Sequence, residues 1–374
     1  MDAITEFPRL SAGEPADDPA IYARNVENYI GTVRVPVGIA GPLAVHGGAA
    51  HGTYYVPLAT TEAALVASYS RGAQLLTRAG GCTARVLDAR MRRAPVLRFE
   101  TLRESTLAAL WVRENGDALR AAAESTSRHA RLLGTETIVE GNHLYLDCAF
   151  ATGEAAGQNM VTLATEALCA ELVARLPVRP RSFAVESNAS GDKKAAARAM
   201  LATRGRRVCA EAIVPAALLE ERLRVTPAAL DAYWRTGAVA AAMTGTVGMQ
   251  GMYANALAAF YLATGQDVAC VAESAVGITR FELARDGALY ASVTMPNVVV
   301  ATVGGGTALP TQRAAARLLA REGEPPCADA LAEIVAATAL AGEISLVASL
   351  CAQEFACAHR RFAREGANAA RVPA

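Results

Sequence analysis

The 374-residue chain reads as an α+β protein: a large mixed α/β domain interrupted by a small ferredoxin-like unit of order β-α-β-β-α-β. Three observations predict this. Residues from about 94 to 190 carry a complete run of strand and helix patterns, long enough to stand as an inserted unit. The composition is 52% hydrophobic and 19% charged, which excludes a disordered chain. Aromatic residues are only 5%, so the core is built from Ala, Val and Leu and its elements pack closely.

Taken in order, the polar start shows neither a signal peptide nor a transit peptide pattern. NVENYIGTVRVPVGIAGPLAVHGG reads as short extended pieces between Gly and Pro. TTEAALVASYSRGAQLLTRAGG reads as a helix capped by Thr60 or Thr61, with Glu62 in its first turn and Gly80–Gly81 as its stop. APVLRFETL is a strand and STLAALWVRENGDALRAAAEST a helix. HARLLGTETIVEGNHLYLDCAFAT gives two strands turning at residues 140–142. GQNMVTLATEALCAELVARL is the second helix and RSFAVESNA the last strand. The remainder supplies apolar strands and helices, ending in a long or broken helical region from 328 to 366. The expected boundaries are 1–93 with 197–374 for the large domain, 94–184 for the insert, and 185–196 for a connecting loop.

Lys plus Arg and Asp plus Glu are 36 each, giving zero net charge, which argues against nucleic-acid partners and a polybasic membrane-surface role. Two stretches lack charge, between Arg235 and Asp267 and between Asp286 and Arg313. Their Gly, Thr, Asn, Gln and Pro content points to buried helix and strands rather than membrane spans. Eight scattered cysteines without a CxxC pair are expected to be reduced thiols in a cytoplasmic protein. Cys351, Cys357 and His359 fit no zinc spacing, so no metal is expected. No G-x-G-x-x-G follows a strand, so a Rossmann fold has no support.

Several residues can carry chemistry. Asp192-Lys193-Lys194 is either a solvated charge cluster or a loop whose lysine stabilises an oxyanion. Glu62 is either a helix-dipole carboxylate or a desolvated proton donor. Asp267 opens an apolar run and calls for a cationic partner, most naturally lysine. His359 is a surface helix residue or a general acid. Gly304-Gly305-Gly306 is a plain turn or a close backbone approach to a ligand.

Together these segments resemble the 3-hydroxy-3-methylglutaryl-coenzyme A (HMG-CoA) reductase family. The resemblance rests on ENYIGTVRVPVGIAGPL, PLATTEAALVASYSRGA, TSRHARL, GQNMV, DKK, TGQD, TMPNVVVATVGGGT and the C-terminal histidine, in order from about 25 to 362. Its details are closer to the class I branch. The resemblance implies reduction of HMG-CoA to mevalonate and CoA through a mevaldyl-CoA hemithioacetal and mevaldehyde, with two NADPH consumed. It implies catalytic roles for Glu62, Lys193, Asp267 and His359, with the first three as mutual partners. Substrate contacts are implied for Arg93, Asn188, Asp192, Lys194, Arg235, Asn255, Ser68 and Arg71. Cofactor contacts are implied for Ser127, Arg128, Glu154, Gly157, Gln158, Asn159, Gly304 and Gly305. Arginine at 128 suits a 2′-phosphate, hence NADPH before NADH. A homodimer with the active site between subunits, or a tetramer, is also implied, with the region 238–264 suited to close packing.

The sequence departs from the family pattern at E-A-A-G-Q-N (154–159), at Arg235 where lysine is expected, at Phe362, and at Glu186 where serine is usual. Glu186 is expected to need a cation such as Lys194 or Arg235. A reductase for another acyl thioester and a non-catalytic thioester-binding protein are the alternatives.

Overall fold

The computed structural model describes residues 19–29 and 31–354. After a short turn of helix α1 (Pro19–Tyr22), strands β1 (Val37–Gly47) and β2 (His51–Ala59) form an antiparallel pair. The extended pieces expected before residue 48 are thus largely one continuous strand with a bulge between Ala40 and Leu43. Helix α2 (Leu65–Arg78) starts later than the sequence suggests: Ala64 at φ 70° precedes it without a side-chain cap. Thr60 Oγ1 instead accepts the Glu62 N–H at 3.0 Å, so Glu62 sits in the turn before the helix, outside its first turn. Gly80 and Gly81, both at positive φ, end the helix as expected.

Strand β3 (Cys82–Arg93) is the hub of the sheet. Its start pairs parallel with β1, its body antiparallel with β8 (Gly205–Val214), and its end at Met91–Arg93 antiparallel with Cys148–Phe150. Next come β4 (Val96–Arg98), α3 (Leu102–Glu114), α4 (Gly116–Glu124), β5 (Arg131–Glu140), β6 (His143–Ala151), α5 (Gln158–Arg175) and β7 (Ser182–Ala184). These strands lie in the order β7-β4-β6-β5, every neighbour antiparallel. A Thr101–Glu104 capping box starts α3. The single helix expected over this stretch is broken into α3 and α4, because Asn115 turns its amide onto the Trp111 carbonyl and Gly116 follows.

The chain then runs through β8 (Gly205–Val214), α6 (Ala216–Leu223), α7 (Pro227–Thr244), α8 (Tyr253–Thr264), α9 (Val271–Ser274), β9 (Ile278–Leu283) and β10 (Leu289–Val298). Helices α10 (Pro310–Arg317) and α11 (Ala328–Cys351) complete it. The sheet has ten strands, and β3 joins the β7-β4-β6-β5 group to the remaining strands. The second uncharged stretch is the buried strand β10 and the turn after it. The first is not one buried helix. Residues 245–252 break it, and most of 236–246 is exposed, with Val239 and Met243 open to solvent, because no element among the described residues packs there.

Helix α11 is apolar all round and buried nearly throughout, the behaviour of a core helix. It is long and apolar enough to cross a membrane by composition, yet 83% of that window is covered by the protein itself. Asp329 in its first turn pairs with Arg206, whereas its two glutamates are buried without a cation and are solvated by N–H groups instead. Glu333 accepts from Gly48, Ala49 and Ala50 at 2.7–2.9 Å and shapes the β1–β2 turn. Glu343 accepts from Gly251, Met252 and the Thr279 hydroxyl, tying down the loop before α8. Burial pushes the Glu343 carboxyl above its usual range, against those donors.

Glycine sets the spacing between α2 and α11. A Cβ on Gly72 would lie 1.9 Å from the Ala341 carbonyl oxygen, and one on Gly342 2.2 Å from the Tyr69 ring. Gly72→Ala is therefore expected to cost about 1–3 kcal/mol by overpacking. Gly116→Ala, where a Cβ meets nothing within 4 Å, is expected to leave stability unchanged. The denaturant midpoints of the two variants check both.

Candidate active site

After β7 the chain forms a loop held to the end of β3. The Ser187 N–H and hydroxyl both donate to the Ala94 carbonyl, at 2.9 and 2.7 Å. Gly191 and then Lys193 take left-handed conformations, φ 79° and 55°. The second is costly for a residue with a Cβ. That twist places the Lys193 ammonium against Asp267, with Nζ 2.9 Å from Oδ2. Asp267 caps a tight turn, accepting the Ala269 N–H at 3.1 Å, and its Oδ2 also accepts from the Gln158 amide at 3.1 Å. The expected lysine partner of Asp267 is therefore present. Asp267 is not deeply buried, however, its side chain being 36% exposed.

The charges shift each other in the stabilising direction. The hydrogen bond to Asp267 raises the Lys193 pKa above the ordinary lysine value, outweighing desolvation. At Asp267 desolvation is the largest effect and raises the pKa, but the bonds from Lys193, Gln158 and Ala269 together leave it lowered. Both groups stay ionised across the neutral range.

Asp192, just before Lys193, faces two arginines. Arg93 lies 3.0 Å from its Oδ2 and Arg204 2.7 Å from its Oδ1. Arg93 also meets Glu186 at 3.3 Å and donates to the Gln158 carbonyl. Glu186 thus finds its cation in Arg93, correcting the expected pairing with Lys194 or Arg235. The reason is position: the loop lies along the end of β3, so Glu186 lies beside Arg93 and accepts the Ala94 N–H as well. Arg204 and Glu273, both buried and ion-paired, were missed from sequence. The signal was available, since Glu273 is an isolated carboxylate in the apolar run VACVAESAVGIT and needs a partner as much as Asp267 does.

Lys193 and Asp267 open onto a cleft of about 650 Å³. Its walls include Gly157, Gln158 and Asn159 at the start of α5, and Gly304, Gly305 and Gly306 beyond β10. The α5 N-terminus has no side-chain cap, so its first-turn N–H groups are available to an anion. A Cβ on Gly304 or Gly305 would meet nothing, so the glycines are not demanded by internal packing. Their φ values of 81° and 54° suit glycine in this turn.

Other expected residues lie apart. Glu154 faces away from this cleft: its Oε2 accepts from Thr302 Oγ1 at 2.6 Å and from the Ala328 N–H at the start of α11. It ties the start of α11 to the turn after β10. Glu62 is exposed and accepts from the Asn255 amide at 2.8 Å, while no described contact joins it to Lys193 or Asp267, so the expected mutual trio is a pair plus a separate pair. Ser68 and Arg71 are bonded to Ser345 on α11. Arg235 pairs with Asp231 on its own helix. Lys194 donates to the Asp192 carbonyl, and Asn188 is an exposed residue at φ 67°. Ser127 and Arg128 occupy the loop between α4 and β5 and do not line the cleft. His359 lies outside the described residues.

A family model described as "Hydroxymethylglutaryl-coenzyme A reductase" matches residues 5–364. The chain is 43% identical over 354 residues to a protein of Pyrococcus horikoshii named 3-hydroxy-3-methylglutaryl-coenzyme A reductase, covering 93% of this chain and 86% of that one. It is 47% identical over 344 residues to a protein of the same name from Halobacterium salinarum, covering 91% and 84%. Among solved structures, the fold is similar to a class II enzyme of that name from Streptococcus pneumoniae bound to NADPH. There the TM-score is 0.70 at 22% identity, with 88% of this chain and 89% of that chain covered.

Lys193 and Lys194 are the only lysines in the chain, so lysine-selective NMR reports this loop alone. Titration is expected to place the Lys193 pKa above the ordinary value of about 10.4 and to bring it down in Asp267→Asn. Asp267 contributes stability above its unfolded pKa, lost as pH falls through its depressed folded value. Lys193 contributes below its unfolded pKa, lost as pH rises through its raised folded value. Because the pair is over a third exposed, Asp267→Asn is expected to cost less than about 1 kcal/mol at pH 7 in denaturant unfolding.

Proposed function

The chain belongs to the hydroxymethylglutaryl-coenzyme A reductase family, and we propose that it reduces HMG-CoA to mevalonate and CoA with NADPH as reductant. The observation that carries the reading is the Lys193–Asp267–Gln158 contact at the open cleft. A raised lysine pKa keeps a cation where an acyl oxygen gains negative charge, and Asp267, held by Gln158, fixes its direction. The cleft fits a dinucleotide in its uncapped helix start and its unobstructed glycines. Bound there, NADPH supplies hydride, once to the thioester carbon and once to the aldehyde left after CoA departs. Across the two reductions one proton goes to the CoA thiolate and one to the product alcohol. Glu62 and His359 are our candidates for delivering them. Ser127 and Arg128 are candidates for the 2′-phosphate, and Gly157, Asn159, Gly304 and Gly305 for the rest of the cofactor.

In this reading residues 94–184 form the cofactor unit and the remainder the substrate and subunit-contact domain. Glu62–Asn255 and Lys193–Asp267 then belong to active sites completed between two copies of the chain. What supports a homodimer is the exposed Ala-, Val- and Met-bearing end of α7, an apolar face that the chain leaves uncovered. Identities above 40% to archaeal relatives favour the class I-like branch, and the cysteines among the described residues, unpaired and mostly buried, favour the cytoplasm.

One observation favours a second reading, a reductase for a different acyl thioester. Arg93, the expected anchor of the substrate carboxylate, already carries Asp192 and Glu186. An added carboxylate must displace or outcompete Glu186 there.

Purified protein is expected to oxidise two NADPH per mevalonate formed from HMG-CoA, and Lys193→Ala to lower kcat by about 10²–10³-fold. A drop of only a few-fold in that variant rules out the oxyanion role. Glu186→Ser is expected to raise kcat/KM for HMG-CoA. If wild type prefers an uncharged acyl-CoA and Glu186→Ser reverses the preference, the second reading stands.

A further inference from the structure

Lys193 is gripped at both ends by one corner of the chain. The corner begins at Asp267, turns through residues 268–270 and ends in α9 with Glu273. Asp267 takes the ammonium at 2.9 Å, and Glu273 Oε1 takes the main-chain N–H of the same lysine at 3.1 Å. Glu273 is fully buried and is ion-paired with Arg204, itself fully buried and bound through its other nitrogen to Asp192.

The corner is anchored in the core. Ser274 Oγ donates to the Asn297 carbonyl at 2.7 Å and meets the Tyr261 hydroxyl at 3.0 Å. The Asn297 side chain in turn accepts the Arg204 N–H at 2.9 Å. Against this frame stands a lysine at φ 55°, a conformation that persists only where its surroundings over-determine it. Asp192 held by Arg204 and the Lys193 N–H held by Glu273 are those constraints.

We infer that Glu273, backed by Arg204, is a positioning residue that holds the Lys193 backbone in its left-handed turn and so aims the ammonium into the cleft. The inference deepens the proposed reductase function and rests on it for its kinetic consequence. What matters is the reach of the carboxyl oxygen to the Lys193 N–H, more than its charge.

Two variants of the full-length protein separate reach from charge. Glu273→Gln keeps an acceptor oxygen at the same length and loses the charge. Glu273→Asp keeps the charge and withdraws the oxygen by one methylene. Glu273→Gln is expected to keep kcat within about threefold of wild type, whereas Glu273→Asp loses about 10–100-fold in kcat with KM for thioester and NADPH nearly unchanged. In parallel, ¹⁵N-lysine labelling gives only two backbone amide signals in this chain. The Lys193 amide is expected to exchange at least about tenfold faster in Glu273→Asp and at the wild-type rate in Glu273→Gln. Equal kcat and exchange in wild type and Glu273→Asp, or a Glu273→Gln that falls as far as Glu273→Asp, overturns the inference. Absence of wild-type turnover on HMG-CoA would instead overturn the reductase reading, and the exchange rates would still decide whether Glu273 holds Lys193.

Discussion

The structure depends on burying a helix that has almost no surface of its own. α11 is hydrophobic on every side, so it must be surrounded, and α2, α8, β3, β8 and β10 are all drawn against it. Two glutamates would ordinarily forbid such burial. They are accommodated because each faces backbone N–H groups that need an acceptor, Glu333 those of residues 48–50 and Glu343 those of Gly251 and Met252. The carboxylates thereby turn a packing element into one that dictates loop shape. Close approach of α2 is possible only because Gly72 and Gly342 present no side chain.

That arrangement leads directly to the site. Glu343 fixes the loop that starts α8, and α8 presents Asn255 to Glu62. At the far end of α8, Tyr261 is bonded to Ser274 and to the Val299 N–H, which locks the corner carrying Asp267 and Glu273 to the strand layer. Helix α5 enters through Gln158, whose side-chain amide reaches Asp267 while its main-chain carbonyl holds Arg93. Lys193 is thus set by Asp267 and Glu273, the first of them held in turn by α5.

The charge pattern around Lys193 follows one rule. Where a carboxylate is buried beside a cation, as Glu273 is beside Arg204, it acts on geometry. Where the pair is open to the cleft, as with Lys193 and Asp267, the charge remains available to a ligand. Glu186 stands between these cases, a quarter exposed and placed on an arginine that is otherwise buried.

The sequence by itself determined the mixed helix–sheet class, most helix and strand positions, the helix stop at Gly80–Gly81, and the demand of Asp267 for a cation. These follow from local periodicity, from backbone preference and from the cost of an unpaired charge, none of which needs long-range contacts. Only the tertiary structure decided that Glu62 lies outside α2, that Glu154 ties the start of α11, that Glu186 takes Arg93, and that Glu273 with Arg204 backs Lys193. Each of these is a choice of partner among several chemically equivalent candidates. Sequence fixes which charges need partners, but the sheet register and helix packing set the distances that select them.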